Sequence, residues 1–189
     1  MAYQPTNFTK IRGEQRRNRI IKTAIAIIAE GGMAALNSRD IAERAEISKG
    51  LVFKYFPDMV ELVAKVEHSI MTDDIGAMRE AGKDATNPIA ALVAAITVLF
   101  DRMQTRESRE MASMESYPRG ISREIEKLIR AIDPEGDNNL IARAALGVIC
   151  QLAALGGGHD KRLSTAVLFV LKGIGASVAD QRKAMELVP

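Results

Sequence analysis

The chain has 189 residues, 47% of them apolar, with few aromatics, no Trp and a single cysteine, Cys150. That length suits one domain, or a small domain joined to a larger one, with enough chain to bury a core. A lone cysteine excludes a disulfide framework and a Cys-based zinc site, MAYQPTNFTKIRGEQRR lacks the apolar stretch of a signal peptide, and no apolar run reaches the ~18 residues of a membrane span, so a soluble cytoplasmic protein is expected.

The formal charge of +2 hides an asymmetry. Residues 1–60 hold ten Lys/Arg against six Asp/Glu, and residues 61–189 hold sixteen against eighteen. The first 22 residues carry Lys10, Arg12, Arg16, Arg17, Arg19 and Lys22 against Glu14 alone. A basic first segment on a near-neutral body points to a polyanion partner for one end of the molecule, the alternative being a solvated tail.

From Glu14 to Glu30, the apolar positions Ile20, Ile21, Ala24, Ile25, Ile27 and Ile28 recur at three- and four-residue steps. This predicts a helix with one buried face, ended by Gly31-Gly32. Asn37 then reads as the N-cap of a second, short helix, with Asp40 reaching back in capping-box manner and Ile41, Ala42 and Ala45 inward. Glu46-Ile47 is a tight turn. Ser48 caps a third helix carrying Leu51, Val52, Phe53, Tyr55 and Phe56, Pro57 stops it, and Asp58 caps a fourth from Met59.

Two short helices joined by a tight turn form a helix-turn-helix pattern, whose second helix can enter a DNA major groove. Ser48 offers a hydroxyl, Lys49 a charge, and Gly50 close backbone approach, at a helix end that attracts phosphate. Lys54 shares the face of Gly50 and Leu51. Phe56 and Val52 read as core, whereas Lys49, Lys54 and the Tyr55 hydroxyl read as contacts.

Further on, helices are predicted over Met59–Gly82, from Pro88 (capped by Asn87) to about Arg106, over Glu107–Ser116, and over Arg119–Ile132, with Tyr117-Pro118 as a break. DPEGDNN is a loop. Leu140–Leu155 is a helix, Gly156-Gly157-Gly158 a break, and Arg162–Met185 the last helix. No β-pattern or internal repeat is visible.

LIARAALGVICQLAAL and TAVLFVLKGIGASVA are apolar around much of their circumference, so each needs cover on more than one side. A second copy of the chain supplies it through Ala144, Ala145, Val148, Val167, Leu171 and Ile174, in a four-helix homodimer interface; a monomeric core is the alternative. In the middle of the chain, Phe100, Met103, Met111, Met114 and Tyr117, with Ile149 and Leu152 opposite, are candidates to line a pocket for a small apolar or amphipathic effector. Ordinary core packing is the competing reading. Arg119, Arg123 and Arg130 are either an attractor of acidic ligands or a solvated face. His68 and His159 lack metal-ligand spacing, no nucleophile elbow appears, and no cofactor motif is present, so neither metal, cofactor nor catalysis is expected.

RRNRIIKTAIAIIAEGG and NSRDIAERAEISKGLVFKYF resemble the first helix and the helix-turn-helix of the TetR family of bacterial transcriptional regulators. The resemblance covers about residues 14–62 and rests on the Arg-Asp-Ile-Ala run, Ala45, Ser48, Gly50 and the closing Tyr-Phe. It implies an all-α protein with a three-helix DNA-binding domain over residues 1–60 and a helical ligand-binding and dimerisation domain over 61–189. It also implies a homodimeric repressor of a palindromic operator, released by a small inducer. The family's DNA-contacting positions fall on Asn37, Ser38, Arg39, Ser48, Lys49, Gly50, Leu51, Phe53, Lys54 and Tyr55.

Four positions depart from the family pattern. Glu46 stands where Gly is usual, at a cost of about 1 kcal/mol if φ is positive. Leu51 replaces Thr, Phe53 replaces Tyr, and Met59 replaces Lys. Lys54, Tyr55 and the basic segment from Lys10 to Arg19 are the candidate compensation, the segment to be tested by alanine at Arg12, Arg16 and Arg17 together. The competing functions are a helical DNA-binding dimer without small-molecule input, and an all-helical enzyme.

Overall fold

The computed structural model describes residues 7–155 and 157–188, with side chains from residue 11 onward. Among the described residues there are ten α-helices and one 3-10 turn, and no strand. The chain divides into two compact units, Met1–Ser69 and Ile70–Pro189, the division falling inside the fourth helix. No single helix among the described residues is long and apolar enough to cross a membrane.

The first unit holds α1 (Asn7–Gly31), α2 (Ser38–Arg44), α3 (Lys49–Tyr55) and the start of α4 (Met59–Gly82). Its core is the periodic set read from the sequence. Ile20, Ala24, Ile27 and Ile28 of α1 are buried with Ile41, Ala42, Ala45, Val52, Phe56, Leu62 and Val66, while Ile21 and Ile25 are half-buried at its margin. α1 starts earlier than the apolar pattern, because polar residues continue a helix once a packed face anchors it.

The second unit holds the rest of α4 with α5 (Pro88–Arg102), α6 (Arg106–Ala112), α7 (Ser116–Arg130), α8 (Asn138–Ala154), α9 (His159–Gly173) and α10 (Val178–Met185). α8 packs between α7 and α9, and α5 touches α7, α8, α9 and α10. Leu99, Phe100, Ile125, Ile129, Ile149, Leu163 and Val167 are among its fully buried side chains. Gly120, inside α7, is a site of close approach: a Cβ there would lie 2.1 Å from the Met71 sulfur of α4.

Three further differences from the sequence reading have a local cause. α5 ends at Arg102 because Thr105 caps α6, its hydroxyl accepting from the Ser108 amide. Tyr117-Pro118 does not break a helix; it lies in the first turn of α7, where a missing N–H costs nothing. The long last helix is two. Gly175 (φ 68°) closes α9 in a Schellman motif, with Ala176 N–H on the Leu171 carbonyl and Gly175 N–H on that of Lys172, and Ser177 then caps α10.

Candidate nucleic-acid interface

α2 and α3 are each seven residues long, too short to persist alone. Local hydrogen bonds and the shared core hold them. Asn37 caps α2, its Oδ1 accepting from the Arg39 and Asp40 amides at 3.1 and 3.0 Å. Its Nδ2 donates to the Asp40 carboxylate and the Ala35 carbonyl. Asp40 thus completes the cap through the Asn37 side chain rather than its backbone. The turn is a second Schellman motif: Ile47 N–H reaches the Ala42 carbonyl and Glu46 N–H that of Glu43. Glu46 sits at its left-handed position with φ 53°, alone among the described non-glycine residues in having positive φ. Ser48 caps α3 at the Leu51 amide, 3.2 Å away.

These restraints sort the ten expected contact residues. The side chain of Asn37 is fully engaged in the cap. Ser38 is half-buried and Arg39 exposed beside it. On α3, Val52 turns into the core with Phe56 behind it, while Ser48, Lys49, Gly50, Phe53 and Lys54 face outward, flanked by half-buried Leu51 and Tyr55. Helical spacing puts Lys49, Gly50, Phe53 and Lys54 on one face. Among the described residues Arg39 and Lys54 make no ion pair, and the Lys49 ammonium meets only the Phe53 ring, 5.9 Å from its centroid. Nothing lies within 4 Å of where a Gly50 Cβ would stand, so this face is open.

The basic segment before it is less free than its sequence suggests. Arg17 belongs to the fold: its guanidinium lies 4.6 Å from the Phe56 ring centroid, pairs with Glu61 at 2.9 Å and donates to the Tyr55 carbonyl at 3.4 Å. Arg19 pairs with Glu46 at 2.7 Å. Among the described residues Arg16 and Lys22 remain exposed without an ion pair, and the Lys10 side chain lies outside them.

In the second unit the expected pocket residues form packed core. Phe100, Met103, Met111, Tyr117 and Ile149 are wholly buried, with Met114 and Leu152 half-buried. The Cys150 thiol rests 3.7 Å from the Met103 sulfur, and His159 stands edge-on to Phe100 at 5.3 Å. Of the expected dimer residues, Ala145, Val167 and Leu171 are fully buried within their own chain and Ile174 nearly so; Ala144 is exposed and Val148 half-exposed. The outward apolar side chains on α8, α9 and the residue after α8 are Leu140, Phe169 and Leu155.

The sequence reading missed Asp74. It is fully buried and accepts from the Arg102 guanidinium, the Ser108 hydroxyl at 3.2 Å and the Tyr117 hydroxyl. Burial pushes the Tyr117 phenol far above its ordinary range, and the Asp74 charge adds to the shift. The signal was present: Ile70, Asp74 and Met78 repeat at four-residue steps, which puts a carboxylate in an apolar stripe.

Residues 20–66 match the family model described as bacterial regulatory proteins, tetR family. The transcriptional repressor KstR of Mycolicibacterium smegmatis is 41% identical over 49 residues, which are 26% of this chain and 24% of KstR. The repressor Rv3405c of Mycobacterium tuberculosis is 29% identical over 133 residues, 67% of this chain and 64% of that one. The chain therefore spans a quarter to under two thirds of these relatives. The fold matches that of RolR over 95% of both chains (TM-score 0.70, 18% identity). It also matches a TetR-family regulator from Pectobacterium atrosepticum over 85% of this chain and 92% of that one (TM-score 0.67, 18% identity). The chain thus carries the tetR-family model over its helix-turn-helix, residues 20–66, and shares its fold with RolR and with a TetR-family regulator.

Proposed function

We propose that the protein is a homodimeric transcriptional repressor that reads a palindromic operator through α3 and is released by a small-molecule inducer. The observation that carries the DNA half is the outward face of α3. A buried Val52 and Phe56 hold the helix down, while among the described residues the Lys49, Phe53 and Lys54 side chains make no hydrogen bond or ion pair, the Lys49 ammonium meets only the Phe53 ring, and Gly50 stands in open space. Lysines there meet phosphates or guanine edges, Gly50 lets the backbone approach, and Leu51 offers an apolar contact to a thymine methyl. KstR and Rv3405c are both described as repressors. Two copies reading half-sites a helical turn apart, roughly 34–36 Å, give the palindrome. An inducer that favours another separation shifts the population away from DNA. RolR, which shares the fold, has been solved in complex with resorcinol.

The test is fluorescence anisotropy on the DNA upstream of the protein's own gene, against a scrambled duplex, across a salt series. Binding at least about 10³-fold tighter to the first duplex establishes a specific operator. Lys49→Ala and Lys54→Ala should each lower the salt slope by about one. Gly50→Ala should weaken binding without loss of stability, since the added methyl meets nothing within the protein. Equal and steeply salt-dependent binding of both duplexes by wild type and variants defeats the reading.

A further inference from the structure

α8 has two flanks, one toward α7 and one toward α9. On the α7 flank lies a groove of about 730 Å³ lined by Arg119 and Arg123 of α7 and by Arg143, Leu146, Gly147 and Cys150 of α8, within the size range of small-molecule sites. The only acidic side chain in its lining is Glu115, which is already bonded to Arg119. Arg130, next along α7, pairs with Glu126 and is not part of the groove. Arg123 and Arg143 are exposed and have no ion pair or hydrogen bond among the described residues. Glu126, whose charge also feels Arg123, is held by Asn139 at 2.9 Å and Arg130 at 2.7 Å. The groove is therefore positive within a region, residues 61–189, whose acids outnumber its bases. By contrast, the groove between α5, α7 and α10 sets Asp180 against Lys183 and is balanced.

We infer that the α7–α8 groove is a binding site for a small amphipathic anion, its carboxylate or phosphate held between Arg123 and Arg143 and its apolar body laid against Leu146 and the Gly147 backbone toward Cys150. Guanidinium forks suit such headgroups, binding them through paired hydrogen bonds. Gly147 leaves the floor open, since a Cβ there would meet nothing within 4 Å. The inference extends the effector half of the proposed function, and its test contains no DNA.

Cys150 is the chain's one cysteine and lies in the groove wall, half-buried. Its alkylation therefore reports occupancy at a single site. The full-length protein is treated with iodoacetamide in mildly alkaline buffer, because burial raises the thiol pKa, with decanoate, decyl phosphate or decyltrimethylammonium as probe. Saturable slowing by decanoate or decyl phosphate but not by the cation is expected. In Arg123→Ala/Arg143→Ala the half-protecting concentration should rise at least about tenfold, with the unprotected rate and thermal midpoint unchanged. No protection, equal protection by all three probes, or protection that survives the double substitution overturns the inference. A failure here leaves the operator assay untouched, and a failure there leaves this site standing.

Discussion

The two units use polar side chains in opposite ways. In the first, the buried interior is wholly apolar up to Leu62, and polar groups are either spent on caps and turns (Asn37, Ser48, Arg17) or left facing water on α3. In the second, a carboxylate sits at the centre, with Asp74 tying together α4, α5, α6 and α7. A surface that must meet varied phosphates and bases is built by leaving charges unpaired. A bundle that must keep one packing among near-equivalent helices is built by burying a charge that only one arrangement satisfies.

That contrast is broken most severely at Asp74. Asp74→Ala would leave two hydroxyls and a guanidinium facing a vacancy, and should cost about 3–5 kcal/mol, read as the urea midpoint of the second unit. Tyr117→Phe removes one donor and should cost about 1–3 kcal/mol. If Asp74→Ala costs under 1 kcal/mol, the cluster is not the centre of that unit.

Next comes the pair Arg17 and Arg16, adjacent in sequence and opposite in role. Arg17→Ala loses a partly exposed ion pair and a ring contact, together about 1–2 kcal/mol of first-unit stability. Arg16→Ala should stay within about 0.5 kcal/mol while weakening DNA binding and its salt slope. The pair replaces the triple alanine test, in which a loss from unfolding would pass for a loss of contact. Equal stability effects at the two positions would erase the distinction between bound and free cations.

The same pair shows how far the sequence could be read. Apolar periodicity and caps located the helix-turn-helix almost to the residue, because local chemistry writes those features: Asn37, Ser48 and Asp58 all cap where expected. Which arginine pairs and which stays free depends on residues 38 to 44 positions away, as with Tyr55 and Glu61 for Arg17, and no local pattern encodes it. The second unit was legible as helices but not as surfaces. An apolar helix shows that it must be covered; it does not show whether its own chain or another covers it, and here its own chain takes Val167, Leu171 and Ile174.

Smaller still is the effect at Glu46. Its left-handed backbone costs about 1 kcal/mol, against an exposed ion pair with Arg19 that gives back a few tenths. Glu46→Gly should therefore stabilise the first unit by about 0.5–1 kcal/mol, whereas Glu46→Gln keeps the strain, loses the pair and should destabilise slightly. A loss of stability in Glu46→Gly would mean that the pair outweighs the backbone.

The smallest expected effect lies at His159, where α9 begins beside the end of α5. Its Nε2 is 2.7 Å from Asp101 and its Nδ1 3.1 Å from Asp160, and both carboxylates favour the imidazolium, Asp101 most, so the folded pKa is raised. Phe100 and Arg162 also meet in this corner, the Arg162 guanidinium 5.7 Å from the ring centroid and donating to the Leu152 carbonyl at 2.6 Å. A raised folded pKa means that the native state holds the proton more tightly than the unfolded chain, so the contribution is fully present below the ordinary histidine pKa of about 6.5 and is lost as pH rises through the folded value. The ring is more than a third exposed, so solvent screens both pairs and keeps the effect small. Thermal midpoints of wild type and His159→Gln, taken from mildly acid to mildly alkaline pH, should converge as pH rises and separate in favour of wild type as it falls toward 6. Parallel midpoints would show that α9 is held at its start by Arg162 and packing alone.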